Sequence, residues 1–214
     1  MAGGKILLFC DDDIEVPRDF VQTHAHAYSN NNIGGVTCRI IEPFPPRRAP
    51  NRILRVTPYG RLIAGFEAHR TCFVETLAGQ NMSILRSVWE SIGGLEEALT
   101  GTSLFEEQDL SARIRQRGYK ILFTDAATVK HFPQSDGNED RKAKSPSSYY
   151  HSFHHNEILY FLKNHSRLHL FLVIPFCALR TVKQSLKFRL TPAESWFVFK
   201  GVFEGLKTYY RLYA

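Results

Sequence analysis

The chain has 214 residues, 43% of them hydrophobic and 22% charged, which excludes a disordered polymer and suits one packed domain with an appendage. Its formal charge of +6 is concentrated at the end: from His165 onward eight Lys/Arg stand against two acids, so residues 1–164 are neutral. The longest apolar run, Leu168–Leu179, is broken by His169 and Pro175 and falls short of the ~20 residues of a membrane-spanning helix.

In chain order, residues 5–10 (KILLFC) form a continuous apolar run, predicting a strand buried on both faces, the kind found in parallel sheets covered by helices. It stops at Asp11-Asp12-Asp13. A helix follows from Pro17 to about Ser29, with Phe20 and His24 on one face, and residues 34–41 (GGVTCRII) predict a second strand. Strand, helix and strand in that order predict a right-handed parallel unit. Five prolines between 42 and 60 predict an excursion over the sheet. Residues 71–77 read as a strand, 87–92 as a helix stopped by Gly93-Gly94, 106–117 as a helix stopped by Gly118, and 119–124 as a further strand. A polar stretch over 133–148 reads as a linker. From Tyr149 the chain is helical, with breaks near Asn164 and Thr191-Pro192. The domains predicted are thus 1–145 and 146–214.

Three adjacent carboxylates repel one another unless a cation or hydrogen-bond donors offset them. In open α/β sheets, ligands bind beyond the carboxyl ends of the strands, where this triplet falls. An Asp-x-Asp pair there can hold Mg²⁺ or Mn²⁺, which also grips a diphosphate. Helix capping by Asp13 or Glu15 is the plainer alternative. A phosphatase-type reading, with a nucleophilic carboxylate after the strand, is weakened by Ile14-Glu15 where haloacid-dehalogenase-like enzymes carry a small pair.

A second acidic group opens the helix at 106. Leu110 and Ile114 define its buried stripe, and Glu107 shares that side. Asp109 falls away from the stripe, within reach of Arg113 at i,i+4. A carboxylate at the rim of a core suits a general base, which makes Glu107 the first candidate and Asp109 the second.

Four segments in order resemble family 2 glycosyltransferases, which have the GT-A fold: residues 5–17, GQNMSILRSVWESIGGLEE (79–97), FEEQDLSARIRQRGYKI (105–121) and TDAATVKH (124–131). The resemblance implies an α/β, Rossmann-like, mostly parallel sheet with a C-terminal helical extension. It also implies metal-assisted sugar transfer from a UDP-, GDP- or dTDP-sugar to a glycan or lipid-linked hydroxyl, with inversion. Asp11 and Asp12 would face the ribose and diphosphate, and Asp13, with Asp11 and His131, the Mg²⁺ or Mn²⁺. Gln80 and Asn81 would lie near the donor sugar or acceptor, and Glu107 stands where the family has its catalytic Asp. Family members begin with a nucleoside-binding half of which no counterpart precedes residue 5. The expectation is therefore a half-enzyme that binds sugar nucleotides weakly alone, or a non-catalytic remnant.

The tail interleaves aromatics such as Trp196, Phe199 and Tyr210 with Lys and Arg. It reads either as amphipathic helices on an anionic membrane or as helices with their aromatics packed inward; no nucleic-acid motif is present. Scattered cysteines and the lack of a secretory signal predict reduced thiols in a cytoplasmic chain, peripheral at a membrane. Among His151, His154 and His155, no carboxylate or thiol completes a metal set, so no zinc is expected there.

Overall fold

Residues 33–41 are buried along most of their length, and in the computed structural model they form the central strand of a mixed sheet. The structure describes residues 3–29, 32–43, 53–101, 103–132 and 145–214. Its elements are β1 (Ile6–Cys10), β2 (Ile14–Glu15), α1 (Phe20–Ala27), β3 (Ile33–Ile41), β4 (Arg55–Val56), β5 (Leu62–Ile63), β6 (Cys72–Val74), β7 (Asn81–Leu85), α2 (Arg86–Ile92), α3 (Glu106–Gln116) and β8 (Lys120–His131). After these come α4 (Pro146–Asn164), a 3₁₀ turn (Arg167–His169), α5 (Leu170–Phe188) and α6 (Pro192–Leu212). The linker predicted over 133–148 lies outside the described residues as far as 144, as does 44–52 of the proline-rich stretch.

The sheet runs β1-β7-β3-β8-β2, with β6 also pairing β8. β3 and β8 are parallel, whereas β7 runs antiparallel to both β1 and β3. The three long strands β1, β3 and β8 therefore share one direction, as the sequence predicts. However, β1 and β3 are not neighbours, because β7 lies between them. Double burial belongs to β3, where Val36, Cys38 and Ile40 have no exposed surface; full burial of such side chains contributes ~1.5–3 kcal/mol each. The KILLFC strand, expected to be buried on both faces, is half-exposed at the sheet edge.

β7 is the strand the sequence hides. Met82 and Ile84 alternate with Asn81 and Ser83, and all four are buried. The polar pair faces the buried ring of His24 from α1, so a strand with two interior faces carries polar residues on one of them. α1 presents Phe20 and His24 inward as predicted. α2 ends at Gly93 in the left-handed region, φ 77°, a conformation that only glycine adopts without strain.

Two compact units divide the chain. One contains the sheet; the other combines residues 57–61 and 96–109 with the C-terminal helices. In the helical unit, α4 supplies the core: Ile158, Leu159, Tyr160 and Phe161 are buried. α6 crosses it closely, since a Cβ at Gly201 would lie 2.2 Å from the His151 carbonyl oxygen and one at Gly205 2.6 Å from that of His155. Only glycine permits this approach. α6 starts with a reciprocal cap between Thr191 and Glu194.

Candidate active site

Because β1, β3 and β8 run the same way, their carboxyl ends share one rim. Asp11–Asp13 follow β1, Glu42 follows β3 and His131 closes β8. The two-residue strand β2 completes the arrangement by pairing Ile14 with His131 and Glu15 with Lys130. The Phe132 amide donates to the Asp13 carbonyl at 2.8 Å. Neither Asp13 nor Glu15 caps a helix: α1 begins at Asp19, and Glu15 pairs with Lys130 at 3.1 Å.

His131 stands at the centre of this rim. Its Nε2 is 3.2 Å from Asp13 Oδ1 and its Nδ1 is 3.0 Å from Glu42 Oε2. Donor atoms of Asp11, Asp13 and His131 all lie within 4.8 Å of one another. The structure thus brings together the three residues that the sequence assigns to a metal, although Asp11 is the most exposed of them. Donation of an Nδ1–H to Glu42 would turn the Nε2 lone pair of His131 toward the aspartates, the carboxylate–imidazole arrangement that orients metal-binding histidines. Two carboxylates and one imidazole fit Mn²⁺, and less closely Mg²⁺. Desolvation, and then the charge of Asp13, push the Asp11 carboxyl above its ordinary range, with Asp12 and Glu42 adding to the effect and His131 opposing it. Such a concentration of negative potential is relieved by a cation. Asp12 is exposed beside it.

Sequence reasoning missed Glu42. The signal was present, since an acid directly after a buried strand meets the same end-of-strand criterion that singled out Asp11–Asp13. Removing its charge while keeping its shape, with Glu42→Gln, is expected to weaken Mn²⁺ binding ~10–100-fold, as read by calorimetric titration of the folded chain. Unchanged affinity would show that Glu42 does not hold His131 in place.

Gln80 is half-buried, whereas Asn81 is wholly interior. The β3–β8 register shifts between Cys38↔Thr124 and Ile40↔Val129, leaving extra residues on β8. At that irregularity the Asn81 amide donates to the Ala127 oxygen at 3.0 Å and to the Arg39 oxygen at 3.4 Å, supplying donors that the interrupted ladder lacks. Its Oδ1 then accepts from His24 Nε2 at 2.9 Å. His24 Nδ1 in turn accepts from Ser83 Oγ, and Ser83 Oγ from the Tyr28 hydroxyl, each at 2.9 Å. Burial lowers the pKa of His24, against the Asn81 hydrogen bond, so a neutral ring suits the chain of donors. The position expected to touch the substrate therefore serves the strand end that carries His131. Asn81→Ala is expected to cost ~1–3 kcal/mol, the penalty for stranding buried partners, measured by urea denaturation.

Glu107 is half-buried in the first turn of α3, and its charge, after desolvation, raises the pKa of Glu106. Leu110 and Ile114 are fully buried, as the stripe predicts. Asp109 departs from its predicted placement: it is 1% exposed, and its carboxylate binds Asn164 Nδ2 at 2.8 Å and Lys163 Nζ at 3.2 Å. Lys163 also bonds Glu96. Enclosed by these donors, Asp109 anchors the helical unit and offers an acceptor no access.

The fold is that of GT-A glycosyltransferases. A crystal structure of GalNAc-T7 with UDP, GalNAc and Mn²⁺ shares that fold at a TM-score of 0.51 and 14% identity, over 98% of this chain and 42% of that one. The mannosyltransferase PcManGT from Pyrobaculum calidifontis, in complex with GDP-Man and Mn²⁺, aligns at a TM-score of 0.46 and 15% identity, over 100% of this chain and 52% of that one. The chain thus spans about half the length of these structures or less. No curated protein matches it in sequence. The sequence profile of glycosyl transferase family 21 matches residues 1–139, and the chain belongs to that family; its motifs resemble family 2, but the profile that matches is that of family 21.

Proposed function

We propose that this glycosyltransferase uses a divalent cation at Asp11, Asp13 and His131 to hold the diphosphate of a nucleotide-sugar, and transfers the sugar with inversion to an acceptor hydroxyl. The observation that carries this is the convergence of Asp11, Asp13, His131 and Glu42 at the ends of three codirectional strands. Bound there, Mn²⁺ or Mg²⁺ would supply charge stabilisation for the departing diphosphate. Asp12 and Gln80 stand beside the donor site, and Glu107 takes the acceptor proton. The acceptor oxygen forms its bond to the anomeric carbon as the bond to the diphosphate oxygen breaks. One displacement inverts the centre. The titration that tests this compares UDP, GDP and dTDP with and without Mn²⁺: one nucleotide should bind in a Mn²⁺-dependent manner, and cation-independent binding of all three would overturn it.

A glycan or lipid-linked acceptor at an anionic membrane fits the tail. No described helix is long and apolar enough to cross a membrane. Leu168, Phe171, Leu186 and Trp196 are nevertheless 71, 78, 77 and 60% exposed; Phe171 and Leu186 lie on α5, with Lys183 and Lys187 on that helix and Arg189 just beyond it. Exposed apolar residues with basic neighbours suit peripheral contact with lipid.

A further inference from the structure

The helical unit encloses a second set of metal-type donors. His154 and Glu157 lie one turn apart on α4, Cys177 comes from α5, and none of the three has exposed surface. The carboxylate stands in the sequence one turn beyond His154, where sequence reasoning on the three histidines missed it, and the fold supplies the thiol. Glu157 Oε2 lies 3.1 Å from Cys177 Sγ and 3.5 Å from His154 Nδ1. The three donor atoms fall within 4.8 Å of one another. The two separations from Glu157 are close to the edges of a tetrahedron built on bonds of about 2.0–2.3 Å.

The protons decide what belongs between them. Thr181 Oγ1 donates its one proton to the Cys177 carbonyl at 3.0 Å, so it must accept from His154 Nε2 at 3.2 Å. That fixes one proton on Nε2, and burial, which lowers the ring's pKa against the pull of Glu157, keeps a second proton off Nδ1 and leaves it a lone pair. Nδ1 is buried and has no hydrogen-bond partner; the carboxylate oxygen it faces at 3.5 Å is itself an acceptor. Arg180 does not resolve this. Its guanidinium forks onto Glu157 at 2.5 and 3.1 Å and rests on the faces of Phe153 and Phe176, which satisfies the carboxylate but not the ring nitrogen. A cation would satisfy the ring nitrogen while sharing the carboxylate, with Thr181 and Arg180 as the outer partners that orient the imidazole and the carboxylate.

We propose that His154 Nδ1, Glu157 and Cys177 bind one Zn²⁺ ion, with water in the fourth position. A thiolate with an imidazole and a single carboxylate suits Zn²⁺, unlike the oxygen-rich rim that suits Mn²⁺. Binding breaks the Cys177 S–H bond, forms the Zn–S bond and releases that proton to solvent. Because the donors are enclosed, the ion enters as the helices close.

The whole chain, unfolded and stripped with a chelator, would be refolded with Co²⁺, alone and in competition with Zn²⁺. Expected are a near-ultraviolet thiolate-to-cobalt band at one equivalent, displaced by Zn²⁺, and its persistence in Asp13→Asn, which disables the rim site and so keeps the two metal assignments distinguishable. The band should vanish in Cys177→Ala and survive in Cys10→Ala, which alters an exposed cysteine. Absence of the band in the folded wild-type chain, or its loss in Cys10→Ala, would overturn the proposal. The wild-type and Cys10→Ala spectra decide the matter even if Cys177→Ala does not fold.

Discussion

Asp13→Asn should weaken Mn²⁺-dependent binding of the nucleoside diphosphate by more than ~100-fold, since loss of an outer-shell partner alone costs ~10–100-fold. The substitution is nearly isosteric. The bond that ties this segment to β8 uses the Asp13 backbone carbonyl, which accepts from Phe132, so circular dichroism and the unfolding midpoint should stay close to wild type. What changes is the charge. Asp13 and Asp11 are the two anionic members of the cluster, and an amide oxygen is a much poorer ligand for a hard divalent ion. Wild-type nucleotide affinity in this variant would remove the cation from the rim and the donor site with it.

Glu107→Gln should separate chemistry from binding. Mn²⁺ and nucleotide affinities should hold, because Glu107 is not among the ligands of the cation. Turnover should fall ~10²–10⁴-fold, the usual contribution of a positioned general base. The measurement is release of nucleoside diphosphate under saturating donor, in whatever chain or complex shows transfer. A parallel loss of nucleotide affinity would place Glu107 in the donor site instead. A Gln variant with full turnover would leave the acceptor proton to another group.

Local pattern carried much of the architecture. The inward face of α1, the Leu110–Ile114 stripe of α3, the left-handed stop at Gly93 and the helix breaks near Asn164 and Thr191 all follow from residues within one or two turns of each other. The triplet after β1 and the histidine ending β8 were legible for the same reason: each sits where a strand stops. What escaped the sequence depends on distant partners. β7 did not read as a strand because Asn81 and Ser83 are polar, and their polarity makes sense only once His24 is packed against them. Asp109 read as lying away from the buried stripe, within reach of Arg113, until Lys163 and Asn164, some fifty positions later, enclosed it. His154 and Glu157 share one helix surface, but the thiol that completes the set, Cys177, comes from the next helix.

Glu42 and His131 are 89 positions apart in the chain and meet only across the completed β3–β8 ladder. Loops of that length close slowly and late in folding. A rim built from such distant pieces has no precursor in the open chain, so a cation bound there would act as a latch set after the sheet has closed. Interactions formed after the folding barrier slow escape from the native state without hastening arrival at it. Metal at this rim would therefore lengthen the lifetime of the closed sheet and leave its rate of formation unchanged.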